Sequence, residues 1–408
     1  MLETAAVINT LMRDDGGRLL AALIAELRDF QLAEDCLQEA WASAVSHWQR
    51  GLPGSPQGWL LQVARRRAID HIRRGKNFRE KQRELSILME HDQAASAEDA
   101  DDNVIPDERL RLIFTCCHPA LDETTRIALT LRSLGGMTTP EIARAFLVTE
   151  DAMAQRLVRA KHKISVAGIR YEVPEADALP GRLNSVLDVI YLIFNEGYAS
   201  RAEPYMRPEF CNEAIRLARL LMHLMPGEST IEGLLALMLL HQARAPARLK
   251  DDALVPLDEQ DRALWSKPLI EEGLVHVKSA LSRGLPDAYQ IQAAISALHC
   301  EAANFAATDW AQIAALYGEL TRHKNNPVIE INRIAALSYV HGPELALEML
   351  RGLEDDFKAY QPFHALKADL LRRLRDPAAA QAYEAALAMT KNQAELKLLE
   401  KRWAALRS

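Results

Sequence analysis

The sequence of 408 residues contains little cysteine, and its cysteines are not arranged for disulfides or for a zinc site. They are odd in number and include no Cys-x-x-Cys pair: Cys36, Cys116, Cys117, Cys211 and Cys300. Adjacent cysteines cannot easily share one tetrahedral metal site, and no second ligand pair is suitably spaced to complete a site with His118. We therefore expect reduced thiols, structural burial of Cys116 and Cys117, and no metal or other cofactor.

Long apolar runs and catalytic motifs are also missing. No uncharged apolar stretch approaches the roughly 20 residues that span a bilayer. The first residues, Met1-Leu2-Glu3, lack the basic start of a signal peptide. We therefore expect a cytoplasmic protein without a membrane partner. No HExxH, GxSxG or P-loop motif is present, and the histidines of the second half are scattered singly, which argues against an enzyme.

The composition favours an all-α protein, because alanine and leucine are abundant and runs of β-branched residues are scarce. The net charge of −7 argues against a uniformly basic coat for nucleic acid. The charge is segregated, however. Nine Lys/Arg and two acids lie between Arg65 and Arg83, whereas eight acids and no Lys/Arg lie between Glu90 and Glu108.

The most informative segment, Thr138 to Ile164, predicts a helix-turn-helix. Thr138 and Glu141 fit a capping box, with Pro140 in the first turn of the helix. The turn is expected at residues 147–149, and Thr149 can cap the second helix.

The second helix of this segment has an apolar face and a basic face. Its core positions are Met153, Leu157, Ala160 and Ile164. Arginine and glutamine can read base edges, while the other cations more often hold phosphates. The candidate DNA-contacting residues are Gln155, Arg156, Arg159, His162 and Lys163. The alternative is an ordinary amphipathic helix with a solvated basic side.

Three further segments define the predicted organisation. A helix over residues 33–48 has its apolar side formed by Leu37, Ala40, Trp41, Ala44, Val45 and Trp48, and a Gly/Pro loop covers residues 49–57. The helix that follows has Trp59, Leu60, Val63, Ala64 and Ile72 on its apolar face and Arg65, Arg66, Arg73, Arg74 and Lys76 on the other. We expect helical domains at 1–80 and 106–168, joined by an acidic flexible linker at 81–105.

Residues 169–408 read as a further helical array. Pro343, Ala346, Met349 and Leu353 recur 34 residues later as Pro377, Ala380, Tyr383 and Leu387. This is the period of tetratricopeptide helix pairs, so a helical repeat or an irregular helical array is predicted.

The order of these parts resembles the extracytoplasmic-function sigma factors of bacterial RNA polymerase. Residues 33–48 resemble the polymerase-clamp-binding helix of that family, 59–74 its promoter-melting and minus-ten-reading helix, and 140–164 its minus-thirty-five-reading element. The segment YLIFNEGYAS at 191–200, with further motifs downstream, resembles a subgroup with a long C-terminal extension of tetratricopeptide-like helices.

The resemblance implies two partners, core RNA polymerase and promoter DNA. Polymerase would be bound through its clamp helices and its flap, with Asp35, Gln38 and Glu39 on the clamp helices. The loop at 49–57 would accept a flipped base. Minus-ten recognition and melting would involve Trp59, Arg65, Arg66, Asp70, Arg73, Arg74 and Lys76. Simple solvation remains the alternative for the acidic residues, and a core position remains the alternative for Trp59.

The resemblance leaves regulation open. The acidic linker, with Asp99, Asp101 and Asp102, would hold the two DNA-binding modules together off DNA. The extension would be a regulatory arm for the rest of the chain or a docking array for an unknown regulator. Asn195, Glu196, Gly197 and Tyr198 would form a helix end with Gly197 at C′, or a docking contact.

A helix-turn-helix repressor or activator with a helical-repeat sensor domain is the alternative function. Such a protein binds duplex DNA without polymerase, usually as a dimer on a palindrome.

Overall fold

The structure is a computed structural model that describes residues 2–74, 108–146, 148–200, 204–323, 327–355 and 357–406. Four predictions fall outside these residues. They are the DNA contact of Lys76, the flexible linker at 81–105, the role of its acids Asp99, Asp101 and Asp102, and the place of Leu147 in the turn.

The described residues are mainly α-helical, which confirms the predicted all-α class. The α-helices are α1 Leu2–Asp14, α2 Gly16–Leu27, α3 Phe30–His47, α4 Pro56–Arg74, α5 Arg109–Cys116, α6 Glu123–Ser133, α7 Thr139–Ala145, α8 Glu150–Val166, α9 Leu179–Tyr198, α10 Pro208–Leu224, α11 Ser229–Ala243, α12 Lys267–Leu281, α13 Ala288–Glu301, α14 Trp310–His323, α15 Pro327–Val340, α16 Pro343–Arg351, α17 Gln361–Arg373, α18 Ala379–Met389 and α19 Gln393–Ala404. Short 3₁₀ turns occur at Trp48–Arg50, Ala245–Ala247, Arg262–Leu264 and Phe305–Ala307. Two short strands, β1 Leu249–Lys250 and β2 Ala253–Leu254, form an antiparallel hairpin.

The chain divides into two compact units, residues 1–190 and 191–408. Both predicted DNA-reading helices, α4 and α8, belong to the first unit. Residues 169–190, which the sequence assigned to the extension, also belong to it. The hydroxyl of Tyr171 donates to the carbonyl oxygen of Ala21 at 3.0 Å, and Arg182 donates to that of Phe114 at 2.6 Å. These hydrogen bonds attach the segment to α2 and α5.

The core of the first unit forms where the apolar faces of α2, α3 and α4 meet. Asp29 caps α3 by accepting a hydrogen bond from the backbone N–H of Leu32 at 3.1 Å. Leu37, Ala40, Trp41, Ala44 and Trp48 are buried as predicted. Val45, which was placed on the same face, is 53% exposed. At about 100° per residue it lies well to one side of the buried stripe.

The predicted structural burial of Cys116 and Cys117 is confirmed. Cys116 and Cys117 are both buried, and burial raises the pKa of the Cys117 thiol to about 11. A thiol with such a pKa stays protonated at neutral pH, so these residues act as small apolar groups.

The second unit is a succession of packed helices with one small hairpin. Helices α15 and α16 form one pair, and α17 and α18 form the next. The first helices of these pairs begin at residues 327 and 361, which reproduces the 34-residue offset. The two pairs share a core that includes Ile334, Leu350, Phe363 and Tyr383. No helix within the described ranges has both the length and the apolar character needed to cross a membrane.

The segment Asn195–Tyr198 lies within the last turn of α9, so placing Gly197 at a C′ position beyond the helix was wrong. A Cβ at Gly197 would lie 2.7 Å from the backbone nitrogen of Cys211 and 2.8 Å from the carbonyl oxygen of Arg207. The glycine therefore allows close approach of two backbones. Glu196 pairs with Arg207 at 3.2 Å, and the guanidinium of Arg248 lies 3.7 Å from the ring centroid of Tyr198.

Replacing Gly197 with alanine should destabilise the second unit. The added methyl group meets backbone atoms that cannot move aside independently, and such overpacking typically costs about 1–3 kcal/mol. Gly181→Ala is the matched control, because it lies on the same helix and a Cβ added there would have no atom within 4 Å. Thermal unfolding followed by circular dichroism should show a lower midpoint for Gly197→Ala and an unchanged or higher one for Gly181→Ala. Equal midpoints would contradict the packing argument.

Candidate nucleic-acid interface

Helices α7 and α8 form the predicted helix-turn-helix, with the predicted caps at both helix starts. The carboxylate of Glu141 accepts from the backbone N–H of Thr138 at 2.7 Å, and the Thr138 hydroxyl accepts from that of Glu141 at 3.4 Å. Thr149 caps α8 by accepting from the backbone N–H of Ala152 at 3.2 Å. These caps satisfy N–H groups that lack partners within the helices.

Helix α8 separates its apolar and polar residues as the sequence predicts. Met153, Leu157, Ala160 and Ile164 are buried. Gln155, Arg159 and His162 are exposed and lie together on the opposite face. Arg156 is half-buried and Lys163 is exposed on one flank of that face. The arrangement presents a glutamine and an arginine with cations beside them, and base reading by these residues stays a prediction.

The half-buried Arg156 lies near the N-cap of α6. Burial alone would raise the pKa of Asp122, but hydrogen bonds from Thr125 and the charge of Arg156 hold that pKa below its usual value. The Thr125 hydroxyl donates to the Asp122 carboxylate at 2.6 Å. Arg156 therefore interacts electrostatically with Asp122 and is less available to bind DNA.

Helix α4 presents a second polar face that includes Arg66, Asp70, Arg73 and Arg74, all of which are exposed. Arg65, which was predicted to contact DNA, is instead paired within the protein. It donates two hydrogen bonds to Glu26, at 3.0 and 2.7 Å, and both side chains are only 14% exposed. Because Glu26 neutralises its charge in a half-buried position, Arg65 holds α4 against α2.

Trp59 lies at the start of α4 beside the predicted base-accepting loop. Its ring is half-buried and packs edge-on against the buried Trp48, with 5.5 Å between centroids, and lies 5.9 Å from the ring of His47. The loop itself consists of the 3₁₀ turn and an irregular segment that ends at Pro56. Trp59 thus contributes to packing and keeps part of its surface open.

The predicted polymerase-binding residues lie on α3. Asp35 and Gln38 are exposed, and Gln31 donates to Asp35 at 2.7 Å. Glu39 is half-buried and lies 3.4 Å from Arg67 and 2.9 Å from His71, both on α4. The acidic character of this face is therefore strongest at Asp35.

Sequence reasoning missed Glu34, which joins the two predicted DNA-binding modules. Its carboxylate lies 3.3 Å from Arg132 of α6 and 2.5 Å from Lys161 of α8. The side chains of Glu34 and Lys161 are only 12% and 9% exposed. Lys161 lies on the flank of α8 away from Arg156 and Lys163. No local pattern reveals these pairs, since the partners are 98 and 127 residues apart.

Backbone packing supports the same contact. A Cβ at Gly17 of α2 would lie 3.2 Å from the Cα of Leu134, directly after α6. Arg132 also donates to the carbonyl oxygen of Met137 at 3.2 Å, which fixes the chain that leads into α7. Helices α2 and α3 are therefore in contact with the region around α6 and α8.

Comparison with known proteins assigns three parts of the chain to described families. Residues 11–78 match Sigma-70 region 2, and residues 111–164 match Sigma-70 region 4. Residues 182–281 match a family of unknown function, DUF6596. The first two matches contain α4 and the helix-turn-helix respectively.

One relative is similar over nearly the whole chain, and two sigma factors are similar over about a third of it. An uncharacterized protein of Rhizobium meliloti is 42% identical over 381 residues, covering 92% of this chain and 90% of the relative. The ECF RNA polymerase sigma factor SigK of Mycobacterium bovis is 31% identical over 144 residues, or 34% of this chain and 74% of the relative. The probable ECF RNA polymerase sigma factor SigI of Mycobacterium tuberculosis is 28% identical over 148 residues, or 36% of this chain and about half (51%) of the relative. No solved structure was found to match the chain.

Replacing Glu34 with glutamine should release α8 from α3. The substitution leaves the poorly exposed ammonium of Lys161 without its carboxylate, which for buried pairs costs about 3–5 kcal/mol. Hydrogen exchange in α8 should become faster, and the free protein should bind duplex DNA more tightly. Glu172→Gln is the control, because it removes the same charge from an exposed pair with Arg170 at 3.8 Å. Unchanged exchange and unchanged DNA affinity in Glu34→Gln would contradict this role of the ion pairs.

Proposed function

Since this chain belongs to the extracytoplasmic-function sigma factors of RNA polymerase, we propose that its first unit reads two promoter elements through two different helices. Sigma factors serve transcription initiation together with core RNA polymerase. The observation that carries the proposal is the presence of two polar helix faces with exposed arginines, on α4 and α8, in one compact unit. The partners are core RNA polymerase and promoter DNA.

The minus-thirty-five element is read by α8. Gln155 and Arg159 are exposed side by side and have the side chains that recognise base edges bidentately. His162 and Lys163 hold phosphates, and Arg156 contributes less because Asp122 already attracts its charge.

The minus-ten element is bound and melted by α4 and the loop before it. Arg66, Arg73 and Arg74 follow the backbone of the separated strand, with Asp70 between them on the exposed face. A flipped base enters the loop beside Trp59, whose partly open ring replaces some of the stacking that the base loses.

Core polymerase binds the exposed face of α3. Asp35 and Gln38 offer a carboxylate and an amide to a basic partner surface, such as the clamp helices. Glu39 joins them when its contacts with Arg67 and His71 are exchanged for contacts with polymerase. The helix-turn-helix module binds the flap.

The ion pairs of Glu34 belong to the free state of the protein. Glu34 precedes Asp35 on α3, so polymerase approaching Asp35 comes close to the group that holds Lys161. Binding at α3 thereby weakens the attachment of α8, and the minus-thirty-five reader becomes free to move to its element. The Glu34→Gln experiment tests the premise of this step, that the ion pairs hold α8 in the free protein.

Replacing Arg159 with glutamine should reduce promoter-specific transcription. Loss of one bidentate base contact costs about 1–3 kcal/mol, which corresponds to roughly five- to 150-fold weaker recognition of the promoter. The measurement is run-off transcription by the full chain with core polymerase over a range of promoter concentrations. Arg170→Gln, which removes an 80% exposed arginine outside the reading face, should leave the yield unchanged.

The same assay distinguishes the function from that of an operator-binding regulator. A sigma factor co-purifies with core polymerase and supports run-off only in its presence. Tight duplex binding without polymerase, together with no run-off when polymerase is added, would contradict the sigma function and favour a repressor or activator.

The second unit regulates the first. Glu196, Gly197 and Tyr198 make packing contacts within the second unit, so the proposed regulation rests on other residues of that unit. A chain ending at Ile190 keeps the hydrogen bonds of Tyr171 and Arg182 and removes the second unit. Its run-off yield should differ at least severalfold from that of the full chain, after circular dichroism has confirmed that it is folded. An equal yield would contradict a regulatory role.

A further inference from the structure

The second unit contains a cavity of about 500 Å³ between its helices. Small-molecule sites usually have volumes of about 300–1,000 Å³ and combine apolar walls with a few placed polar groups. The cavity is lined from α13, the 3₁₀ turn at Phe305–Ala307, α14, α15, α17, α19 and the loop at 256–258. Its size and position fit a small ligand.

One wall of the cavity is aromatic. The rings of Trp310 and Tyr339 are stacked, with centroids 4.3 Å apart and an interplanar angle of 25°. Phe305 packs against both, at 5.0 and 5.2 Å. Tyr339 remains 39% exposed despite these contacts. Such a wall favours a planar aromatic group.

The three arginines that line the cavity differ in their partners. Arg372 and Arg402 both pair with Asp369, at 2.7 and 3.1 Å, and Arg402 also lies 3.9 Å from Asp258 and 3.6 Å from Glu259. Both of these arginines are therefore paired with carboxylates. Arg373 makes no ion pair within the described part of the chain.

Arg373 is nevertheless held in place. Its guanidinium donates to the Ser338 hydroxyl at 2.7 Å and to the Ser338 carbonyl oxygen at 2.8 Å. It lies 4.5 Å from the ring centroid of Tyr339. A fixed cation beside an aromatic wall is suited to a carboxylate attached to a ring. One arginine without an ion pair suits a monoanion, and the carboxylates paired with Arg372 and Arg402 disfavour a ligand of higher negative charge.

His299 adds a neutral polar group to the lining. Burial and the nearby charges of Arg244 and Arg262 lower its pKa to about 3, so the imidazole is uncharged at neutral pH. Its Nδ1 atom is buried without a hydrogen-bond partner in the described residues.

We propose that this cavity binds a small planar aromatic monocarboxylate. The ring lies against Trp310 and Tyr339, and the carboxylate accepts hydrogen bonds from Arg373. This proposal goes beyond promoter reading, and binding can be measured without polymerase or DNA.

The test is calorimetric titration of the full chain with 2-naphthoate and with its neutral analogue 2-naphthamide. The carboxylate should bind roughly ten- to hundredfold more tightly than the amide, because it makes charge-assisted hydrogen bonds. Arg373→Gln should remove this preference while leaving the weak binding of the amide unchanged, which also shows that the cavity remains intact. Arg351→Gln, an exposed arginine on α16 outside the cavity lining, should retain the preference.

Trp310→Leu provides a second test of the location. It should weaken both probes by a similar factor, since it removes the stacking surface and keeps the cation. Equal affinity for the two probes, a preference that survives in Arg373→Gln, full binding in Trp310→Leu, or no binding of 2-naphthoate at millimolar concentration would each overturn the proposal.

Discussion

The arrangement of the first unit depends on the carboxylate of Glu34. It forms ion pairs with two cations, Arg132 and Lys161, and all three side chains are largely shielded from water. A partly buried carboxylate is stable only while its partners remain, and the partners are in turn costly to leave alone. The two modules are thus held together by a contact that is strong when complete and easily unbalanced by a competing charge. Since Glu34 lies on α3, that competition can come from the same partner that α3 is proposed to bind.

The elements that the sequence predicted well are those governed by local interactions. Thr138 and Glu141 are three residues apart, and their reciprocal hydrogen bonds require only the first turn of a helix. The buried face of α8 follows from the helical period, since Met153, Leu157, Ala160 and Ile164 must share a side. The all-α class and the succession of helix pairs follow from composition and period in the same way.

The roles of individual charged residues and of Gly197 could not be predicted, because chemically equivalent residues have different surroundings in the tertiary structure. Lys161 and Lys163 are two residues apart on one basic helix, yet Lys161 is paired with Glu34 while Lys163 is exposed. Arg65 and Arg66 are adjacent, yet Arg65 is half-buried in its pair with Glu26 while Arg66 is exposed. Gly197 resembled a helix-ending glycine, but the close backbone of residues 207–211 is what requires it. Contacts between distant residues decide each case, and no sequence period encodes them.

While Glu34 holds α8, the proposed base recognition is separate from the ability to bind a whole promoter. Gln155 and Arg159 remain exposed although α8 is held through Lys161, so the docking contact does not cover the proposed reading residues. What the contact fixes is the position of α8 relative to α4. Two readers in a fixed arrangement can engage one DNA together only if the spacing of their elements happens to match. In the proposed function, releasing α8 removes this restriction, and polymerase then sets the separation of the two readers. Under the proposed function, specificity therefore lies in the exposed side chains of the two helices, while simultaneous use of both promoter elements requires release of the Glu34 contact.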